Sequence, residues 1–169
     1  ASNLFQFLSS NGLPSATLRL FSPYGFFEES CRLIPTVISH CLENRNLNLL
    51  SSDLVKDFIF IDDTVDAYIK ALNSENAVGE VINVGSGKQS LVKEVMEKII
   101  ELTDSKSEIE IINPDSNYGN AVESKVWLAD VSKSIISNVC SPGTSEVSPL
   151  LEPTICPLLN SRLNAESMA

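Results

Sequence analysis

The sequence predicts an α/β fold with at least some parallel strand pairing, and three observations support this class. Short apolar segments rich in β-branched residues alternate with longer segments whose apolar residues recur at helical spacing. Clusters of Gly, Pro, Asn and Ser separate these segments. The length of 169 residues, with 43% hydrophobic and 20% charged residues, suits one globular domain.

In the first third of the chain, the sequence pattern predicts two helices and three strands. Apolar residues at helical spacing predict a helix over 3–10, which Asn11-Gly12 ends with a left-handed turn. A strand follows at 16–21, and Ser22-Pro23-Tyr24-Gly25 predicts a turn or loop. A helical pattern covers 28–44, and Pro35 indicates a helix start near it, because a missing N–H is harmless there. Strands are predicted at 46–50 and 57–61.

The next elements continue the alternation. Asp63-Thr64 is predicted to cap a helix that runs to about residue 72, with inward-facing residues Val65, Tyr68, Ile69 and Leu72. A strand at 80–84 ends in Gly85-Ser86-Gly87. Ser90 is predicted to cap a helix to about residue 103, with an apolar stripe of Leu91, Val95, Ile99 and Leu102. A strand at 108–112, a polar loop at 113–123 and a short helix from about 130 to 136 follow.

Strands 16–21 and 80–84 are predominantly apolar, which is typical of parallel strands covered on both faces. We predict that they are parallel neighbours, and that they belong to a larger sheet whose earlier strands are absent. After residue 138 the chain has no clear period and is rich in proline, so this tail is predicted to be irregular or disordered. The predicted organisation is therefore a folded region at 1–137 and a tail at 138–169.

Composition excludes several classes of partner. The formal net charge is −10, from 12 Lys and Arg against 22 Asp and Glu, which disfavours nucleic acid and anionic membranes as partners. No segment approaches the roughly 18 apolar residues of a membrane span. The four cysteines form no C-x-x-C pair and the chain has one histidine, so no metal site is expected. Reduced thiols are typical of a cytoplasmic protein.

A search for catalytic sets gives no assignment of a catalytic residue. No G-x-G-x-x-G motif opens a strand–turn–helix, and Gly85-Ser86-Gly87 is better explained as a tight turn. His40, on an apolar helix, is better explained as a structural or surface histidine than as part of a triad. For the Asp62-Asp63 pair, helix capping is favoured over acid–base chemistry.

Five segments, in this order, resemble the extended short-chain dehydrogenase/reductase family, specifically its nucleotide-sugar epimerases and dehydratases. They are LRLFSPYG at 18–25, RLIP at 32–35, VKDFIFIDD at 55–63, DAY at 66–68 and GEVINVGSG at 79–87. The resemblance covers about residues 1–137. It implies the C-terminal part of a Rossmann-like fold, with the last parallel strands and a small substrate-binding subdomain, in an isomerase or lyase of carbohydrate metabolism.

The resemblance also implies a cofactor and a catalytic pair. Family members use NAD or NADP together with a Tyr-x-x-x-Lys pair, and the intact protein is expected to form a homodimer. Neither Tyr24 nor Tyr68 has a lysine four residues later, and the Gly-rich nucleotide cradle is missing. We therefore expect the catalytic pair a few residues before Ala1. The chain is then a fragment that is inactive alone and binds no cofactor tightly.

Four residues are expected to contact a nucleotide-sugar substrate by analogy with the family: Ser22, Arg32, Lys56 and Asn83. Phe21 and Ser22 are also expected beside the cofactor. Ser22 stands where the family usually has Asn, and Lys56 stands where Arg usually holds the pyrophosphate. Alternatives remain open, since Arg32 and Lys56 could be solvated side chains and Asn83 could stabilise the Gly85 turn.

Three functional hypotheses follow from this reading. The first is the substrate-binding part of an NAD-dependent epimerase/dehydratase acting on a nucleotide-linked sugar. The second is a non-catalytic nucleotide-sugar-binding or interaction module. The third is a degenerate product without a stable function. An in-frame Tyr-x-x-x-Lys pair and a Gly-rich first strand upstream would favour the first hypothesis.

Overall fold

The structure, a computed structural model, describes residues 2–112 and 126–139. The predicted loop at 113–123, and the predicted tail from residue 140 on, lie outside the described residues. The chain divides into two compact units. Of the described residues, unit 1 contains 2–24, 57–89 and 128–139, and unit 2 contains 25–56, 90–112 and 126–127.

The described residues form five α-helices and eight short strands, which are numbered in chain order. The helices are α1 Ser2–Ser10, α2 Leu33–Leu42, α3 Ile61–Leu72, α4 Val92–Thr103 and α5 Ser132–Ile136. The strands are β1 Thr17–Leu20, β2 Ser22–Tyr24, β3 Leu47–Leu49, β4 Val55–Lys56, β5 Phe58–Phe60, β6 Val81–Val84, β7 Ser90–Leu91 and β8 Ile109–Ile111. None of the helices in these two described ranges is long and apolar enough to cross a membrane.

Two parallel strand pairs organise unit 1. Strand β1 pairs with β6, with Thr17 opposite Val81 and Leu20 opposite Val84, which confirms the predicted parallel neighbours. Strand β2 pairs in parallel with β5. The loop prediction for β2 was wrong, because Pro23 lacks an N–H but is tolerated in a strand that pairs on one side only.

Helix α3 packs its small residues inward, contrary to the prediction. Thr64 and Ala67 are buried. The predicted inward residues are instead exposed, at 49% for Val65, 51% for Tyr68, 55% for Ile69 and 86% for Leu72. Ala67 belongs to a buried cluster with Ile59, Ala77, Ile82, Val84 and Val139. A small face lets the helix approach these strands closely, and the larger residues consequently point outward.

The start of α3 also differs from the prediction. The helix begins at Ile61, with Phe60 at the N-cap position and no side-chain cap. Asp62 and Asp63 therefore lie in the first turn, where their negative charge complements the positive end of the helix dipole. Asp63 was wrongly predicted to be the cap, because continuous β5 residues run directly into the helix.

Unit 2 combines two helices with two strand pairs. Helices α2 and α4 pack on each other, and β3 pairs in parallel with β8. Strands β4 and β7 form an antiparallel pair of two residues each, with Lys56 opposite Ser90. Ser90 is therefore a strand residue and not the predicted cap, and Leu91 occupies the N-cap position of α4. Helix α2 begins at Leu33, which places Pro35 in its first turn as expected.

Candidate functional site

The carboxyl ends of β1 and β6 meet at one edge of unit 1. Phe21 and Ser22 follow β1 at this edge, and the Gly85-Ser86-Gly87 turn follows β6. The Phe21 amide donates to the Val84 carbonyl at 2.9 Å, which extends the pairing to the ends of the strands. Ligands of open α/β sheets bind outside the carboxyl ends of the strands. This edge is therefore the candidate ligand-binding edge of unit 1.

A fully buried carboxylate, that of Asp57, holds the turn at this edge. One carboxylate oxygen, Oδ1, accepts hydrogen bonds from the amide (2.8 Å) and hydroxyl (2.7 Å) of Ser86. The other, Oδ2, accepts from the amides of Ala129 (2.9 Å) and Gly87 (3.2 Å). Burial of a charge is costly unless hydrogen bonds replace its hydration. Four donors provide this replacement, so Asp57 fixes the turn and the 128–130 segment together.

Gly85 is required by the same arrangement. A Cβ atom at this position would lie 2.9 Å from Asp57 Oδ2 and 2.7 Å from the Ala129 Cβ. Both distances are below normal van der Waals contact. Any larger residue would therefore displace either the carboxylate or the 128–130 segment.

Ser22 and Asn83 lie in unit 1, as expected, and both make backbone contacts. The Ser22 amide donates to the Asp57 carbonyl at 3.0 Å, and the side chain is half-buried. The Asn83 side-chain amide donates to the Asp130 carbonyl at 3.1 Å. Asn83 thus anchors the same 128–130 segment that Asp57 holds.

Tyr24 is buried, and its environment is unsuited to proton abstraction. The Tyr24 ring packs edge-on against Phe58 and Phe60, and its hydroxyl has no hydrogen-bond partner among the described residues. Burial, and secondarily the nearby charge of Asp63, raise the pKa of the Tyr24 phenol above its ordinary value. A catalytic tyrosine base requires the opposite shift. Tyr24 is therefore a packing residue.

Lys56 lies in unit 2 and contacts an aromatic ring. Its ammonium nitrogen lies 4.5 Å from the centroid of the Trp127 ring, which is the geometry of a cation–π interaction. Lys56 is half-buried in β4, and the indole is 42% exposed. No carboxylate of the described ranges forms an ion pair with Lys56.

Arg32 also lies in unit 2, at the N-cap position of α2. The Arg32 Nε donates to Glu28 Oε1 at 3.3 Å, and the arginine side chain is 53% exposed. The other oxygen of Glu28, Oε2, is buried without a hydrogen-bond partner. Burial raises the pKa of the Glu28 carboxyl, and the hydrogen bond and charge of Arg32 oppose that rise. Arg32 is thus already partly neutralised, whereas Lys56 is not.

The structure gathers only part of the expected set. Phe21, Ser22 and Asn83 lie in unit 1, and Arg32 and Lys56 lie in unit 2. His40, the one histidine, has its Nδ1 at 3.3 Å from the Asn46 carbonyl in unit 2. In the two described ranges, no group of three or more His, Cys, Asp and Glu residues could hold a metal ion.

Sequence reasoning missed two residues of this region. Asp57 directly precedes the apolar residues of β5, and a carboxylate beside a buried strand indicates a hydrogen-bonded charge. Trp127 had no comparable signal, because the segment around it has no regular period. Only tertiary contact identifies its partner.

Comparison with known proteins adds sequence and fold relationships. Residues 4–85 match the model of the NAD dependent epimerase/dehydratase family. The chain is 37% identical over 103 residues to CDP-abequose synthase of Salmonella muenchen, which covers 60% of this chain and 33% of that protein. The chain thus spans about a third of the length of this curated relative.

Two solved structures show the same fold. UDP-glucose 4-epimerase with UDP-glucose from Thermotoga maritima has a TM-score of 0.81 at 18% identity, covering 95% of this chain and 51% of that one. UDP-glucuronic acid 4-epimerase from Bacillus cereus in complex with NAD has a TM-score of 0.73 at 25% identity, covering 87% and 45%. The α/β arrangement with parallel strand pairs is therefore the Rossmann-like fold seen in these two solved structures. Residues 4–85 are thus similar to the NAD-dependent epimerase/dehydratase family.

Proposed function

We propose that this chain is the substrate-binding part of an NAD-dependent enzyme that acts on a nucleotide-linked sugar. The relatives act on CDP-, UDP- or dTDP-linked sugars according to their names, and solved neighbours contain UDP-sugars. The observation that carries the proposal is the half-buried Lys56 ammonium, which has no ion-pair partner among the described residues. In a chain with a net charge of −10, a diphosphate needs such a local cation.

Each unit contains candidate contact residues. In unit 1, the ordered turn at Gly85-Ser86-Gly87 and the residues Phe21 and Ser22 form the edge where a ligand meets parallel strands. In unit 2, Lys56 supplies positive charge and Arg32 a second, partly neutralised cation. We propose substrate contacts at Ser22, Arg32, Lys56 and Asn83, and cofactor proximity for Phe21 and Ser22.

The chemistry itself is assigned to the remainder of the enzyme. NAD or NADP, when bound, supplies a hydride acceptor for a sugar carbon. The Tyr-x-x-x-Lys pair that family members use is absent from this sequence, and Tyr24 is buried with a raised pKa. We therefore propose that the chain alone binds but does not convert nucleotide sugars. Epimerisation and dehydration are both compatible with this role.

Assembly and location form a further part of the proposal. We propose that the whole enzyme is a homodimer in the cytoplasm. The unpaired thiols of Cys31 and Cys41 support a reducing compartment.

Binding is tested with the chain as it stands. UDP-glucose, CDP-glucose and dTDP-glucose are titrated by calorimetry, with free glucose as the control for the sugar alone. Saturable binding of at least one nucleotide sugar, without binding of glucose, is the expected result. Absence of binding for all three nucleotide sugars contradicts the substrate-binding role.

Reconstitution tests whether the chain can form part of an active enzyme. The chain is joined behind a family member's N-terminal part that carries the Gly-rich cradle and the Tyr-x-x-x-Lys pair. We expect NAD-dependent turnover of a nucleotide sugar, and no turnover when that tyrosine is replaced by Phe. A chimera that folds and binds both ligands without turnover would favour the alternative, a non-catalytic nucleotide-sugar-binding module.

A further inference from the structure

The environment of Lys56 differs from that of several other lysines. Lys70, Lys93, Lys98 and Lys133 each form an ion pair with a carboxylate. Lys56 instead places its ammonium over the Trp127 ring, with 4.5 Å between the nitrogen and the ring centroid. A carboxylate partner cancels the charge of a lysine. An aromatic face attracts the ammonium through the ring quadrupole and leaves its full charge in place.

This difference has a consequence for ligand binding. A lysine side chain has four rotatable bonds, and fixing it on binding a ligand costs conformational entropy. The indole face restricts the ammonium before any ligand arrives, so less entropy remains to be lost. Lys56 is also held from its backbone, because β4 pairs with β7 opposite Ser90. Its charge is therefore both positioned and uncompensated by any carboxylate of the described residues.

We propose that Trp127 is the positioning residue of a diphosphate subsite in which the Lys56 ammonium binds the anionic oxygens. This inference rests on the proposed function and adds a residue to it. Trp127 acts through Lys56 and does not itself hold the diphosphate. Trp127 is 42% exposed and Lys56 is half-buried, so this pair lies at the surface of unit 2.

The chain contains a built-in reporter for this subsite. Trp127 is its single tryptophan, so intrinsic tryptophan emission reports on one position. Inorganic pyrophosphate, UDP and uridine are titrated into the parent chain. We expect a saturable emission change with pyrophosphate and UDP and none with uridine, because an anion bound to the ammonium alters the field at the indole.

Two lysine variants test whether the signal belongs to Lys56. In Lys56→Gln the change with pyrophosphate and UDP should disappear, whereas Lys106→Gln should retain it. Lys106 is an exposed lysine of the same unit, so its variant is matched for the loss of one positive charge. Equal loss of the signal in both variants would show that only net charge matters, and would overturn the subsite.

A tryptophan series tests the positioning role, with UDP affinity measured by calorimetry. The dissociation constant should increase by about threefold in Trp127→Phe and by about tenfold in Trp127→Leu, following the strength of the cation–π interaction. In the Lys56→Gln background, the Trp127 substitutions should have no further effect. If Trp127 has only a structural role, its substitution should lower UDP affinity in both backgrounds. Trp127→Phe should then bind UDP no more tightly than Trp127→Leu.

The outcomes separate this inference from the function on which it rests. If the parent chain binds neither pyrophosphate, UDP nor a nucleotide sugar, both proposals are overturned. If the parent binds nucleotide sugars and Trp127→Leu binds UDP as tightly as the parent, the positioning role alone is overturned. A thermal unfolding curve of each variant identifies any variant that is not folded, and Trp127→Phe then provides the comparison.

Discussion

At the scale of single residues, Asp57 shows how one buried carboxylate can order several stretches of backbone. Its side chain accepts hydrogen bonds from Ser86, Gly87 and Ala129, and its own carbonyl accepts one from the Ser22 amide. Ser22, Ser86 and Gly87 of the candidate edge of unit 1 therefore all donate hydrogen bonds to Asp57. Loss of the Asp57 carboxylate would leave the donors of Ser86, Gly87 and Ala129 unpaired at once.

Asp57→Asn is expected to destabilise the chain by about 2–3 kcal/mol, because the new amide group is a donor that faces the Gly87 or Ala129 amide. Urea unfolding measures the change. Asp66→Asn removes an exposed carboxylate that pairs with Lys70 on the same unit, and should cost less than about 1 kcal/mol. Equal stability of Asp57→Asn and the parent would contradict the role of the carboxylate as a clamp.

Lys56→Arg is expected to leave UDP affinity unchanged or to improve it. The guanidinium can still stack on Trp127, and it can bind a phosphate through two parallel hydrogen bonds. Lys56→Ala should weaken UDP binding about tenfold or more, since a charged hydrogen bond contributes about 1.5–3 kcal/mol. Calorimetry at matched ionic strength compares the two. Binding by Lys56→Ala that equals the parent would identify Lys56 as a solvated surface lysine.

Glu28 gives a pH-dependent prediction. Burial raises the pKa of its carboxyl in the folded state, which means that the protonated form is favoured by folding. The associated stabilisation is present at low pH and is lost as the pH rises through the folded-state pKa. Gln resembles the protonated form, so Glu28→Gln should become more stable than the parent on going from pH 4 to pH 7.

Urea unfolding of both proteins at the two pH values measures this difference. Glu29→Gln, at a neighbouring exposed position, controls for the loss of one negative charge. A stability difference between Glu28→Gln and the parent that stays constant from pH 4 to pH 7 would show that burial does not disfavour the Glu28 carboxylate.

At the scale of elements, α3 shows why helical periodicity alone did not identify the packed face. The helix has two apolar stripes, one of large residues and one of small residues. The large stripe dominates any hydrophobicity pattern. The small stripe, which includes Ala67, packs against the buried cluster because close approach of a helix to strands needs small side chains.

Two substitutions on α3 test this orientation. Leu72→Gln should change the free energy of unfolding by less than about 0.5 kcal/mol, because Leu72 is 86% exposed. Ala67→Leu should destabilise by about 1–3 kcal/mol, because Ala67 is 1% exposed and overpacking forces neighbours apart. The reverse order of effects would restore the sequence-based orientation of the helix.

Some strand pairs were predicted from the sequence and others were missed. The parallel pair β1 and β6 was predicted because both strands are predominantly apolar. The two-residue strands β4 and β7 are too short to have a period, and their pairing depends on contact between distant segments. They were therefore missed, although β4 contains the proposed phosphate-binding lysine.

At the scale of the whole molecule, the chain corresponds to about half of each related fold. The solved neighbours cover most of this chain, whereas the chain covers 51% and 45% of the two neighbours described. Within unit 1, β1 and β6 form a two-stranded sheet. No other described strand pairs with either of them. We propose that in the whole enzyme further strands pair alongside this two-stranded sheet.

The chain alone is expected to bind NAD no more tightly than the millimolar range, since its sequence has no Gly-rich phosphate cradle. Calorimetry with NAD and with NADP measures this, and the nucleotide-sugar titration of the same preparation is the positive control. Micromolar NAD binding would mean that the phosphate site lies within these residues and would contradict the proposed division of roles.

The sequence by itself determined the α/β class, the resemblance to the epimerase/dehydratase family and the parallel pairing of β1 with β6, because these depend on local apolar patterns and contiguous motifs. Tertiary structure alone decided which face of α3 is buried, which donors Asp57 accepts from, and which ring lies against Lys56. The Asp57–Ala129 bond joins residues 72 positions apart. Such a contact has no local signature, because a side chain's partner is set by how distant segments pack and not by its own neighbours in sequence.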